Sequence, residues 1–288
     1  MTDASGSSSG KRRDRRLLAL CAALAAGLSF TAAKAQEDGG ANPAPPDPGL
    51  LRVCADPNNL PFSNARGEGF ENKLAELVAA KLGRKVEYVW WAQRRGFIRN
   101  TLKAEKCDVI MGVPQLDMLA TTQPYYRSTY VLISRADKDL NFSSLAAPEL
   151  QHLKIGVQLV GDDGANTPPA HALAQQHITE NVVGFPLYGD YREDSPPRRI
   201  IEAVERGDID IAAAWGPMAG YFGKVSPVPL KIVPIGDTAR FSPQVFEFSI
   251  SMGVRKGDQA LKAELDRFIA ENKPEIQDLL SSYGVPLM

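Results

Sequence analysis

Three polar side chains crowd one short turn, Asp56-Pro57-Asn58-Asn59-Leu60-Pro61-Phe62. A carboxylate and two amides backed by Phe62 can hydrogen-bond a small solute; Asn58 and Asn59 can equally do no more than shape the turn. Further on, Met111, Gly112, Val113 and Pro114 end one apolar run, while Gln158, Val160, Asp162 and Trp215 lie at or beyond the ends of two others. Singly, Met111 and Val113 read as core. As a set, an apolar and aromatic lining with a few polar groups has the makeup of a small-molecule cleft.

Covalent chemistry finds little support. His152, His171 and His177 do not stand at metal-ligand spacing with Cys or Glu, and the chain has no H-E-x-x-H, G-x-S-x-G or phosphate loop. Asp162 and Asp163 are loop neighbours whose side chains point apart. These residues call for no metal and no cofactor, and the expectation is a binding protein rather than an enzyme. With 33 basic residues against 34 acidic, no basic excess marks a nucleic-acid surface.

The densest aromatic and basic cluster is Trp90, Trp91, Arg94, Arg95 and Phe97. Exposed Trp and Arg serve as anchors at protein interfaces. The plainer alternative puts one Trp in the core with arginine stems over it.

The elements that position these residues follow a leader. Lys11 to Arg16 is basic, Leu17 to Ala33 is apolar but short for a membrane span, and Ala33-Lys34-Ala35 precedes Gln36. This is the pattern of a secretory signal over residues 1–35, cut after Ala35, which places the protein in the periplasm. Cleavage removes six basic and two acidic residues, leaving 27 against 32 and a formal charge of −5. Residues 36–49, rich in Pro and Gly, read as a disordered linker.

Beyond it, strands alternate with helices. Strands are expected at 50–55, 85–91, 107–113, 154–158, 181–187, 209–215, 230–235 and 245–254, with a long β-rich run at 124–134. Helices are expected at 70–82, 96–103, 145–153, 169–177, 198–206, 259–271 and 274–283. Strands separated by helices imply parallel sheets with right-handed crossovers. The pattern occurs twice, so the fold class is α/β with two lobes, each a mainly parallel sheet flanked by helices, joined by a two-strand hinge. Lobe 1 is 50–133 with 249–288, and lobe 2 is 134–248. Crevices at the strand ends then face each other, and hinge bending closes them on a ligand. Cys54 and Cys107 fall on strands that lie side by side in a 2-1-3 order, close enough for a disulfide; two buried thiols are the alternative.

Residues 60–63 (LPFS), 67–70 (GEGF) entering a helix, 107–110 (CDVI) and 124–126 (PYY) resemble the polar amino-acid type, family 3, of periplasmic solute-binding proteins. The blocks 54–64, 67–79, 94–102, 106–114, 124–135 and 283–287 are similar to a narrower group. These are the quinoprotein-dehydrogenase-associated solute-binding proteins, found with periplasmic methanol dehydrogenases. The resemblance implies a type II periplasmic-binding fold and a pyrroloquinoline-quinone methanol dehydrogenase as partner, with a part in its assembly or activation. In the amino-acid-binding relatives an Arg between the third strand and the Pro-Tyr grips the ligand carboxylate, and an Asp ending a lobe-two strand meets the ammonium. Here the fifteen residues 109–123 hold no Arg or Lys, and that lobe-two strand ends Ala214-Trp215-Gly216-Pro217. An α-amino acid buried there would leave its charges unpaired, so tight binding of ordinary amino acids is not expected. An ABC-permease receptor for a small non-amino-acid solute and a small hydrolyase remain as competing readings.

Overall fold

The computed structural model describes residues 47–160, 166–187, 191–192 and 194–288. The expected signal, most of the linker and Asp162 lie outside these. The described strands are β1 (Leu50–Ala55), β2 (Asn58–Asn59), β3 (Ser63–Asn64), β4 (Lys85–Trp90), β5 (Val109–Val113), β6 (Ala120–Thr121), β7 (Tyr126–Arg135), β8 (Ile155–Leu159), β9 (Val182–Pro186), β10 (Ile211–Trp215), β11 (Leu230–Pro234) and β12 (Glu247–Val254). The described helices are α1 (Phe70–Lys81), α2 (Phe97–Asn100), α3 (Pro168–Gln175), α4 (Arg199–Arg206), α5 (Gly216–Lys224), α6 (Gln259–Glu271) and α7 (Lys273–Ser282).

The α/β architecture is as expected. In the first half, β1 pairs in parallel with β4 on one side and β5 on the other. In the second half, β8 pairs in parallel with β9 and β10. Both are the 2-1-3 order that βαβ crossovers produce. Each parallel triplet is extended by antiparallel strands, β12 against β5 and β7 against β10.

The expectation of separate sheets needs one correction. Strands β12 and β7 pair with each other, Glu247 opposite Thr129 through Ile250 opposite Tyr126, so a continuous hydrogen-bonded path runs through both halves. The reason is strand length. β7 has ten residues and β12 eight. Each crosses the waist and still reaches a sheet beyond it.

Cores lie on both sides of this ladder. Phe70, Leu74 and Val78 of α1 pack with Leu51, Val53, Met252, Leu265, Phe268 and Leu280. On the other side Leu132, Ile155, Val157 and Leu173 form one cluster, and Ile133, Ile200, Val204, Met218 and Phe222 another.

Two helix expectations give way to local chemistry. Residues 145–153 keep only a 3-10 turn at Pro148–Gln151, because Pro148 lacks an amide donor and keeps Ala147 extended. Helix α5 falls where no helix was expected, and its glycines are poor helix formers. Packing overrides that cost: a Cβ at Gly216 or Gly220 would collide with the Thr129 or Gly284 carbonyl.

Candidate functional site

The turn after β1 is held by its own carboxylate. Asp56 accepts from the backbone amides of Asn58 (2.8 Å) and Gln93 (2.6 Å) and from the Tyr191 hydroxyl (2.6 Å). The Asn59 amide donates to Gln93 Oε1 at 3.1 Å, and the Ser195 amide donates to Asn58 Oδ1 at 3.0 Å. Tyr191 and Ser195 belong to the segment after β9, so this turn is bonded across the waist to the other half.

The next turn delivers a carboxyl. The first amides of α1 are used locally: Phe70 N–H donates to Pro61 O and Glu71 N–H to Phe62 O, at 2.8 and 2.9 Å. The turn can approach that closely only because residue 69 is Gly; a Cβ there would strike the Phe62 carbonyl. Glu71 is thereby aimed toward Gly112 of β5, which likewise has no room for a Cβ beside the Glu71 carboxyl.

Between the halves lies a cavity of about 340 Å³. Asp56, Asn58, Asn59, Phe62, Glu71 and Gln93 line it from the first half, with Gly112 and Pro114. The crossing strands supply Tyr126, Tyr130, Phe248 and Ile250, and the second half supplies Gln158, Trp215, Met218 and Tyr191. Trp215 stands edge-on between Tyr130 (5.2 Å) and Phe248 (5.8 Å), and its amide donates to Gln158 Oε1 at 3.2 Å. Among the described lining residues there is no Lys, Arg or His.

Of the residues expected at the cleft, the structure gathers Asp56, Asn58, Asn59, Phe62, Gly112, Pro114, Gln158 and Trp215. Met111 and Val113 belong elsewhere: both are buried, in cores on opposite faces of β5. The register slips there, Ser251 opposing Val113 and Gly253 opposing Ile110. That bulge breaks simple alternation and sends the two side chains to different cores. Val160 is not in the lining either; its amide donates to Asn166 Oδ1.

Sequence reasoning missed Glu71, Tyr130, Tyr191, Met218 and Phe248. The position of Glu71, straight after Gly69-Phe70 at a helix start, is the one local signal that could have marked it. Glu71 has no hydrogen bond to its carboxyl among the described residues. Burial first, and then the Asp56 charge, push that carboxyl up to about 8.

In the aromatic and basic cluster, Trp91 is 39% exposed with Lys106 over its ring at 5.2 Å, and Arg94 and Arg95 are exposed. Arg94 lies over the Tyr191 ring at 5.7 Å. Phe97 is corrected: at 5% exposure it is core, packed with Cys54, Leu102 and Cys107. Trp90 is mostly inward too, stacked on Tyr88 at 4.5 Å. Cys54 and Cys107 are disulfide-bonded, with Cα atoms 5.5 Å apart.

Two parallel triplets of order 2-1-3 facing a cleft across crossing strands form the frame of a solute-binding protein. The model of the bacterial extracellular solute-binding proteins, family 3, matches residues 51–285. The chain belongs to this family. Within it, the chain is 34% identical over 282 residues to protein MoxJ of Methylorubrum extorquens, covering 94% of this chain and 91% of that one. The crystal structure of MxaJ from Methlophaga aminisulfidivorans MPT superposes with a TM-score of 0.73 at 30% identity, over 83% of this chain and 100% of that chain. Periplasmic binding protein XoxJ from Methylobacterium extorquens AM1 gives a TM-score of 0.68 at 35% identity, over 83% and 99%. As a family 3 solute-binding protein, the molecule has an extracellular setting and a binding role. No helix among the described residues is long and apolar enough to cross a membrane.

Proposed function

We propose that this protein is a periplasmic accessory protein of a pyrroloquinoline-quinone methanol dehydrogenase, acting by docking to the enzyme and aiding its assembly or activation. The observation that carries this reading is its likeness to MoxJ along 94% of the chain. The cleft agrees with a departure from amino-acid transport, because its described lining offers no cation for an α-carboxylate. The docking surface in this reading is Trp91 with Arg94 and Arg95. It adjoins a groove of about 530 Å³ lined in part by Arg99, Lys103, Leu116 and Met118. The two lobes, 50–133 with 249–288 and 134–248, open and close about the β7–β12 ladder.

The test is capture of the dehydrogenase by the tagged protein in extracts of methanol-grown cells of its source. Wild type retains the dehydrogenase, and a Trp91→Ala, Arg95→Glu variant retains at least tenfold less. A wild-type protein that captures no dehydrogenase overturns the reading. The aromatic cavity between the halves favours one alternative, a receptor delivering a small solute to an ABC permease; its mark is a solute that raises the melting temperature by mass action.

A further inference from the structure

The cavity is a box of aromatic rings with negative charge on one wall. Tyr126, Tyr130, Trp215 and Phe248 supply faces and edges, and Asp56 and Glu71 supply carboxyl groups. Their states differ. Asp56 accepts from three donors, whereas Glu71 accepts no hydrogen bond among the described residues. Behind Gly112 lies a second orphan, the buried Tyr125 hydroxyl, also without a partner. An unpaired carboxyl in an apolar wall holds its proton unless a positive charge enters to stabilise its ionised form. An anion or a zwitterion's carboxylate would find no cation among the described lining residues, only the amides of Asn58, Asn59, Gln93 and Gln158 beside the acids and rings. A neutral apolar solute would leave Glu71 unmatched. A cation with an apolar skin satisfies both features, since ring faces attract cations and recognition of quaternary ammonium groups is the best-known use of that attraction.

We propose that this cavity binds a small organic cation of the alkylammonium class, held against Trp215 and Tyr130 with Glu71 as its counter-charge. Arrival of the cation is coupled to release of a proton. Around Glu71 stand Asp56 from the turn after β1, Tyr88 of β4, and Tyr125 and Tyr126 at the start of β7, none of them cationic. With no Lys, Arg or His beside it among the described residues, the Glu71 carboxyl keeps its proton up to about pH 8. The ligand's charge supplies the missing neighbour and expels that proton, so affinity rises with pH until Glu71 is ionised without help. This inference does not depend on dehydrogenase docking, and either can fail alone.

Titration calorimetry on the purified protein tests it. The probes are tetramethylammonium and choline chloride, and 3,3-dimethylbutan-1-ol serves as the neutral isostere of choline. Cation binding is expected to be at least tenfold tighter than binding of the isostere and to strengthen from pH 6 to pH 8. Heats at pH 7 should differ between phosphate and Tris buffers by the ionisation of a released proton. Glu71→Gln keeps the fold, loses the proton release and binds choline at least tenfold more weakly. Trp215→Leu weakens binding but keeps the proton release. Equal affinity for choline and its isostere overturns the proposal. So does the absence of binding by either cation at millimolar concentration to protein with native circular dichroism.

Discussion

Tyr191 and Asp56 meet across the mouth of the cavity, the phenol donating to Oδ2 at 2.6 Å. One residue belongs to the segment after β9 and the other to the turn after β1, so the bond latches the two halves around the cavity. The latch is reinforced by the Ser195 amide on Asn58 Oδ1 and by Arg94 over the Tyr191 ring.

Tyr191→Phe removes the donor and keeps the ring. A hydrogen bond to a charged acceptor contributes about 1.5–3 kcal/mol, enough to shift a closed–open equilibrium about tenfold or more. Small-angle scattering of the variant should show a larger radius of gyration than wild type. Identical scattering curves would mean that this bond does not govern closure.

Glu71 makes stability depend on pH in the direction opposite to ordinary acids. Its folded value of about 8 lies above the ordinary 4.5, so between those values the folded chain holds a proton that the unfolded chain has lost. Stability from this group therefore falls as pH rises through that window and levels off above it. Glu71→Gln should gain on wild type from pH 5 to pH 8, by on the order of 2 kcal/mol at the upper end, allowing for the open side of the cavity. Urea unfolding at several pH values measures the gap, and a gap that shrinks as pH rises would refute the assignment.

Asp108 behaves in the usual sense. It accepts from Arg52 Nε at 3.0 Å and from Arg255 Nη2 at 3.1 Å, tying the start of β5 to β1 and to the end of β12. Burial works to raise its pKa, but the bonds from Arg52 and Arg255 more than offset this and hold it below the ordinary 3.8. Its contribution is complete above about pH 4 and disappears as pH falls through the folded value. Asp108→Asn leaves two guanidinium groups without their carboxylate and should cost about 3 kcal/mol at pH 7. The loss should shrink towards pH 2, as read by denaturant melts.

The Cys54–Cys107 bridge closes a loop between β1 and the start of β5, a separation of 53 residues. Replacing both cysteines by Ala should lower stability by about 2–4 kcal/mol, since the unfolded chain regains that loop's freedom. In peptide mapping, neither cysteine should take an alkyl label before reduction, and both should take it afterwards. Labelling without reductant would show free thiols.

The primary sequence already settled much of the frame. Apolar runs such as Cys54-Ala55 and Val109-Ile110, and the helical spacing of Phe70, Leu74 and Val78, declare a strand or a helix locally, because burial on one face imposes a period. The repeated β/α alternation and the matching blocks then implied two lobes and the family. Asp56, Asn58, Asn59 and Trp215 were legible at the cleft because strand ends and turns are where such folds expose side chains.

What lay beyond the sequence were facts of distance. Nothing local separates Gly112, which faces Glu71, from Met111 and Val113, which a one-residue bulge turns into two cores. Phe97 beside two arginines reads as surface until the packing beneath it is seen. Tyr191 reaches Asp56 across 135 residues of chain, and among the described residues the elements around Glu71 bring no cation to it. Periodicity is written along the chain, whereas the charge state and partners of a buried group depend on neighbours that only the closed tertiary structure assembles.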